Sequence, residues 1–325
     1  MDLDLLVCAR GFASGLAATV DVLATANVVH QQLVGGAAPF RWRLLSSDGG
    51  TVETSAGLRL AADGSWDEAE ADYRLVFGVG MADREAIGAA VDSDEGRRLV
   101  DGLRRAHDDG ATLVASCSST FFLAETGCLD RGLATTSWWL APLFRRRYPH
   151  VRLAVDRLVT EHDRLICAGA AMAQLQLALH LVRRSLGPEL AHTVSRYLVI
   201  DDQRRSQGPY MLFDHLVSQD EVVARAQAWL RENLKGELRI DALASAVAVS
   251  PRTLHRRFTA ALGMSPSRYV QQLRAQTAAQ LLLATDWSVG RVALEVGYAE
   301  DGALRRAFRQ QLGVSPRELR RRRRG

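Results

Sequence analysis

Between Val249 and Arg320 one short run of residues is written twice, fifty positions apart. The first copy reads S-P-R-T-L-H-R-R-F-T-A-A-L-G-M-S-P from Ser250, and the second reads E-D-G-A-L-R-R-A-F-R-Q-Q-L-G-V-S-P from Glu300. Leu254 matches Leu304, Phe258 matches Phe308, Leu262-Gly263 matches Leu312-Gly313, and Ser265-Pro266 matches Ser315-Pro316. In each copy the apolar residues fall at i, i+4 and i+8, which is one stripe of an α-helix. Gly263 and Gly313 stand where a helix stops in a left-handed turn. A Ser N-cap with Pro at the first helical position then starts the next helix. Shorter helices, Asp241–Ala246 and Val289–Val296, are expected just ahead of each copy. Helix, tight turn and second helix form a helix-turn-helix, so the segment holds two such units. Between them, Ser265 to about Thr285 reads as one continuous helix, with Val270, Leu273, Thr277 and Leu281 down one face.

Leucine and phenylalanine stripes are ordinarily core, and Leu254, Phe258, Leu304 and Phe308 are assigned there. The outward positions carry the functional signal. Arg252, His255, Arg256 and Arg257 crowd the first long helix, and Arg305, Arg306 and Arg309 the second. A merely solvated face would mix signs, whereas this one is nearly all cationic. From Asp220 onward, 19 Lys and Arg face 10 Asp and Glu, while the residues before it carry 22 against 27. A basic C-terminal piece behind a mildly acidic one points to nucleic acid as a partner at one end only. These residues resemble the DNA-binding domain of the AraC/XylS family of bacterial transcription regulators, over about Glu221–Arg320. The strongest marks are S-P-R-T-L-H-R-R-F, V-A-L-E-V-G-Y ending at Tyr298, and L-G-V-S-P. The resemblance places the family's base-reading positions on Arg252, His255 and Arg256, then on Asp301, Gly302, Arg305 and Arg306. Asp301 and Gly302 are poor base readers, so the second unit is expected to lean on phosphate contacts, Arg309 among them. The arginine run Arg320–Arg324 is expected to act as a phosphate-contacting arm.

The first two-thirds of the chain has another rhythm. Leu3–Val7, Trp42–Leu45, Tyr73–Phe77, Thr112–Ser116, Arg152–Ala154, Leu158–Thr160 and Leu165–Cys167 read as strands. Helices are expected after the first strand, at about Glu95–His107, from Ala170 to Leu186, and at Glu189–Val199. Apolar strands alternating with helices indicate a parallel sheet covered on both faces, an α/β sandwich of flavodoxin-like type, followed by an all-α domain. With 325 residues there is length for two cores. The expected divisions are residues 1–186, a helix and linker over 187–219, and the DNA-binding domain over 220–325. Within the second of these, Asp201–Tyr210 is the segment richest in linker residues, and the linker extends toward Gln219.

Ser116-Cys117-Ser118 turns from a strand directly into a helix. Such an elbow exposes its central side chain at the carboxyl edge of the sheet, beside a helix N-terminus whose dipole favours a thiolate. The segments A-S-C-S-S-T-F-F-L-A-E-T-G-C-L-D-R, A-T-T-S-W-W and C-A-G-A-A-M-A-Q-L-Q-L-A-L-H-L-V resemble the PfpI-like, class I glutamine-amidotransferase-like superfamily over about Leu3–Leu186. The match is to its GlxA-type regulator branch, where this domain precedes an AraC-type one. Catalytic members carry the elbow cysteine and a histidine after a pair of threonines. Here Thr135-Thr136 is followed by Ser137, and an acidic partner found in some relatives aligns with Gly15. Without an imidazole the thiol lacks its usual general base. Cys117, Ser137 and Trp138 are therefore expected to line a ligand pocket or to be vestigial, not catalytic. Spacing alone gives His150, His162 and His180 no reason to reach the elbow.

Cys8, Cys117, Cys128 and Cys167 show no metal-type spacing, and no cofactor is expected. Met1–Val7 is too short and too acidic for a secretory leader, and no run approaches eighteen apolar residues, so a cytoplasmic protein without membrane spans is expected. The two resemblances imply a sequence-specific transcription regulator with double-stranded operator DNA, a small-molecule effector and RNA polymerase as partners, dimerising through its N-terminal domain. A cysteine hydrolase or amidase fused to a DNA-binding tail is the competing reading. A DNA-architectural protein without ligand is disfavoured by the large first domain.

Overall fold

The computed structural model describes the chain except residues 80–83, 213–215, 217, 219, 237 and 325. It divides into two compact units, Met1–Gln207 and Gly208–Gly325. The first is built on strands β1 (Asp2–Val7) and β2 (Arg41–Ser46), a short antiparallel pair β3 (Val52–Glu53) and β4 (Arg59–Leu60), then β5 (Gly64–Ser65), β6 (Tyr73–Phe77) and β7 (Thr112–Ser116). A small parallel pair, β8 (Leu133–Ala134) and β9 (Arg152–Leu153), precedes β10 (Val159–His162) and β11 (Leu165–Ala168). The main sheet has seven strands in the order β10-β11-β7-β6-β1-β2-β5. All its pairings are parallel except β10 with β11, which are joined by a tight hairpin at Asp163.

The alternation within β1 distributes the core. Leu3, Leu5 and Val7 bury into one cluster with α1 (Ala13–Leu33), α6 (Gln174–Leu186) and α7 (Pro188–Tyr197). Leu6 and Cys8 point to the opposite cluster, with α2 (Arg84–Asp92), α3 (Asp94–Asp108), α4 (Thr120–Glu125) and α5 (Ala141–Arg147). A sheet covered on both faces is what continuous apolar strands require. Two expectations change. Arg152–Ala154 does not join the main sheet; it pairs with Leu133–Ala134 beside it. The first unit also extends beyond residue 186: Leu190, Ala191 and Val194 of α7 are buried against α1 and α6, and Gln207 is 1% exposed. The apolar stripe on α7, the packing of Leu198 and Ile200 and the backbone hydrogen bonds of Arg205 and Gln207 to Leu158 and Asp156 make 187–207 part of the domain, not a linker. Of the expected linker tail, 213–215, 217 and 219 lie outside the described residues.

The second unit is helical throughout: α8 (Glu221–Glu232), α9 (Ile240–Ala246), α10 (Pro251–Leu262), α11 (Pro266–Ala284), α12 (Val289–Glu295), α13 (Asp301–Leu312) and α14 (Pro316–Arg324). The signals read in the repeat operate as expected. Ser250, Ser265 and Ser288 each accept a backbone N–H at the start of their helices, and Gly263 and Gly313 take φ of 71° and 70°. The central helix α11 is unbroken over 19 residues, a length of roughly 28 Å. Its first half buries Tyr269, Val270 and Leu273. Its second half supplies Ala278 and Leu282 to a cluster with Val292, Ala293, Val296, Leu304 and Phe308. One helix thus forms part of both cores and holds the two helix-turn-helix units at a set separation.

Candidate functional site: recognition helices and a cysteine elbow

In α10, Leu254, Phe258 and Leu262 are buried, with Phe258 set edge-on to Tyr269 at 5.7 Å between ring centroids. Anchored by this stripe, the helix exposes Arg252, His255 and Arg256. Among the described residues no ion pair or hydrogen bond occupies the side chain of any of the three. Arg257 differs. It is half-buried and pairs with Asp220 at 3.1 Å, and Asp220 also caps α8 by accepting the N–H of Val223. Its counterpart in the second copy is Ala307, also half-buried. Arg257 therefore ties α10 to the start of α8, a role invisible in a count of cations.

The second copy repeats the frame with a different face. Leu304 and Phe308 are fully buried in α13, while Arg305, Arg306 and Arg309 are exposed and Asp301 and Gly302 half-exposed. Arg305 is bound by Asp301 at 2.7 Å, one turn away, which leaves Arg306 and Arg309 without an ion pair among the described residues. The arginine run is helical: α14 continues to Arg324. Arg320 turns back to donate to the Trp287 carbonyl, so it braces the domain, while the side chains of 322–324 lie outside the described residues. Arg291 stacks over the Trp287 ring at 4.1 Å, completing that brace.

The elbow sits at the carboxyl end of β7. Cys117 has a φ of 59°, a left-handed value that costs a non-glycine residue energy and is retained only where the surroundings hold it. They do so on three sides. Cys117 N–H donates to the Gly169 carbonyl at 2.9 Å, and Thr136 Oγ1 donates to the Cys117 carbonyl at 2.6 Å. Ser137 Oγ donates to Cys117 Sγ at 3.0 Å. Thus the structure brings Cys117 and Ser137 together, with Trp138 adjacent but 8% exposed and edge-on to Trp139. The helix-terminus argument for a thiolate does not prevail. Burial pushes the Cys117 thiol above the ordinary range, only partly opposed by hydrogen bonds from Ser137 and Ser118. Only a one-turn 3-10 segment, Cys117–Ser119, and the six-residue α4 follow, too little aligned backbone to offset desolvation. Cys8 and Cys167, deeper still, are pushed up to about 12 by burial. His180 is bound to Glu161 at 2.7 Å and His162 lies beside Asp163, so their rings are engaged elsewhere.

One residue escaped the sequence reading. Gln207, the last of the first unit, donates through Nε2 to the carbonyls of Thr136 at 2.9 Å and Val155 at 2.6 Å. Its Oε1 accepts from Ala170 N–H. The same Thr136 and the neighbouring Gly169 hold Cys117, so the end of the domain and the elbow share a support. A glutamine in a Gly/Arg/Gln-rich stretch looks like linker, and nothing local marks it otherwise.

An α/β unit with helices on both faces of its sheet and a helical unit carrying two cationic recognition helices define a DNA-binding regulator of helix-turn-helix type. A helix-turn-helix domain family model matches residues 243–322. The HTH-type transcriptional regulator GbdR of Pseudomonas aeruginosa is 30% identical over 312 residues, covering 94% of this chain and 80% of the relative. The regulator CdhR of the same species is 30% identical over 305 residues, covering 93% of this chain and 86% of the relative. In three dimensions the first unit is similar to an AraC family transcriptional regulator from Pseudomonas putida, with a TM-score of 0.52 at 24% identity over 61% of this chain and 98% of that one. The chain belongs to the AraC family of helix-turn-helix transcriptional regulators. Among the described residues, no helix is long and apolar enough to cross a membrane.

Proposed function

We propose that this regulator reads its operator mainly with α10 and answers to a small-molecule effector held, without turnover, at the Cys117 elbow. The observation carrying the first part is the set of exposed side chains on α10: Arg252, His255 and Arg256 project from a helix whose opposite face is fully buried. An Arg one turn into such a helix is placed to grip guanine in bidentate fashion. In α13, Arg306 and Arg309 supply phosphate contacts, with Arg305 restrained by Asp301. Arg257 supports the helix and contributes charge. Both helix-turn-helix units lie on the stiff α11, so one chain covers two short elements about one helical turn of DNA apart.

The second part rests on Ser137. Where a base would be needed, a hydroxyl donates to the sulfur, and burial keeps the thiol protonated. Trp138 and the Thr135-Thr136 segment form the surroundings of the effector, and Gln207 passes its occupancy to the point where the domain ends. The N-terminal domain serves as a homodimer contact, as in the family it resembles, and RNA polymerase is the downstream partner. The positive φ at Cys117 is the observation favouring a hydrolase. Incubating the full chain and a Cys117→Ala variant with amide and ester substrates separates the readings. No turnover above the variant supports the sensor, and turnover lost in the variant overturns it. For the DNA part, fragments selected from a random pool should bind in a sequence-dependent way that candidate metabolites shift.

A further inference from the structure

On the α3 face of the sheet lies a pocket of about 220 Å³. Its walls are Leu6, Trp66, Leu99 and Leu103, and its polar lining is Asp67, Arg74, Arg98, Arg105 and Asp109. Arg98 is committed, to Asp67 at 3.1 Å and to the Ser47 carbonyl. Arg74 and Arg105 are not. Neither guanidinium has a hydrogen bond or ion pair among the described residues, and Arg74 Nε is buried there without a partner. The obvious counter-ion for Arg74 is Asp4, opposite it across the β1–β6 pairing, but Asp4 is saturated. Its oxygens accept Arg43 and the N–H groups of Glu70 and Ala71. Buried donors are ordinarily hydrogen-bonded, so Arg74, balanced by the nearby charges of Asp4 and Asp109 but without a hydrogen bond at its buried Nε, can take an anion as a partner.

Gly102 also lines this pocket. It sits in the interior of α3, where glycine disfavours the helix relative to alanine. A Cβ there would meet nothing nearer than Arg105 Nη2 at 4.0 Å, so packing does not demand the glycine. Its effect is to leave the mouth of the pocket open between Arg105 and the apolar wall. With the Arg98–Asp67 pair neutral, Arg74 and Arg105 outweigh Asp109 by one charge, which matches a single negative group. The volume corresponds to roughly seven waters at ~30 Å³ each, the size of a short organic acid.

We propose that this pocket binds the carboxylate of a small organic acid between Arg74 and Arg105, with its carbon body against Trp66 and Leu99. A planar two-oxygen anion suits a guanidinium fork, and the apolar wall gives the body a place that phosphate or chloride cannot use. The site goes beyond the effector reading of the elbow and stands or falls without it.

Calorimetric titration of the full chain with butyrate, succinate and inorganic phosphate, against chloride at equal ionic strength, tests the site. A carboxylate should bind, and phosphate, which can use the guanidinium groups but not the apolar wall, should bind more weakly than either acid. Arg105→Gln, at an exposed position that leaves the core untouched, should weaken carboxylate binding about tenfold or more, and Arg74→Gln likewise. Gly102→Met, which fills the mouth while favouring the helix, should abolish it with circular dichroism unchanged. Carboxylate binding that survives Arg105→Gln and Gly102→Met undiminished would overturn the assignment, as would phosphate binding ahead of both acids. No binding of either acid above chloride would overturn it too. Because the readout is heat of binding, failure here leaves the elbow's response to effectors, measured on DNA, unaffected.

Discussion

The two helix-turn-helix units share a frame and differ in what they present. Leu254 and Phe258 in one and Leu304 and Phe308 in the other are equally buried, and Gly263 and Gly313 close their helices at nearly the same φ. Outside that frame, α10 offers Arg252, His255 and Arg256 without partners among the described residues, whereas the first turn of α13 carries Asp301, which occupies Arg305. Repetition keeps what packing requires. The exposed face is free to diverge, and on the proposed reading one unit reads bases there while the other holds the backbone.

If the frames are equivalent, breaking either should hurt alike. Phe258→Ala and Phe308→Ala should each cost about 3–5 kcal/mol, measured by denaturant unfolding, because each empties a fully buried ring site. A much smaller loss in one copy would show that the cores are unequal. The faces should respond differently. Removing 321–324 should weaken binding to every DNA sequence and make the salt slope shallower by about 0.9 for each phosphate that the arm neutralises. An unchanged slope would assign α14 to the brace around Trp287 alone. Asp301→Ala should tighten binding a few-fold on all sequences by freeing Arg305 and removing a negative charge, at a helix cost of about 0.3–0.5 kcal/mol. No tightening would mean that Arg305 stays away from DNA even when released.

The elbow should be the quietest position for DNA. Cys117→Ala should leave affinity unchanged without effector, measured by fluorescence anisotropy. Its thiol is also expected to resist alkylation near neutral pH. Because burial raises its pKa, less thiolate exists at a given pH than in the unfolded chain, and reaction should accelerate only as pH rises well into the alkaline range. Rapid alkylation at neutral pH in a Cys128→Ser background would contradict this.

The helical unit was legible because its signals are local. Ser-Pro starts, glycine stops and an i, i+4 stripe act within a dozen residues, and α10, α11, α12 and α13 fall where those marks stand. The main strands were legible as apolar runs, and their parallel arrangement followed from the intervening helices. What stayed hidden depends on partners distant in sequence. Nothing near Arg257 reveals that Asp220 waits for it, and nothing near Gln207 shows that Thr136 and Val155 do. Residues 152–154 have strand composition, yet their pairing partner lies outside the main sheet. Ser137 was placed beside Cys117 by resemblance, while the direction of its hydrogen bond, and the burial that outweighs the helix terminus, emerge only from the folded chain.

The central claim is that α10 reads bases while α13 holds the backbone. Equilibrium binding of Arg256→Ala and Arg309→Ala to a panel of single-base changes in a selected site tests it most directly. Arg256→Ala should cost about 1–3 kcal/mol and erase preference at one base position, while Arg309→Ala should weaken all members of the panel evenly. Equal, sequence-blind losses from both variants would contradict the division of labour between the two helices.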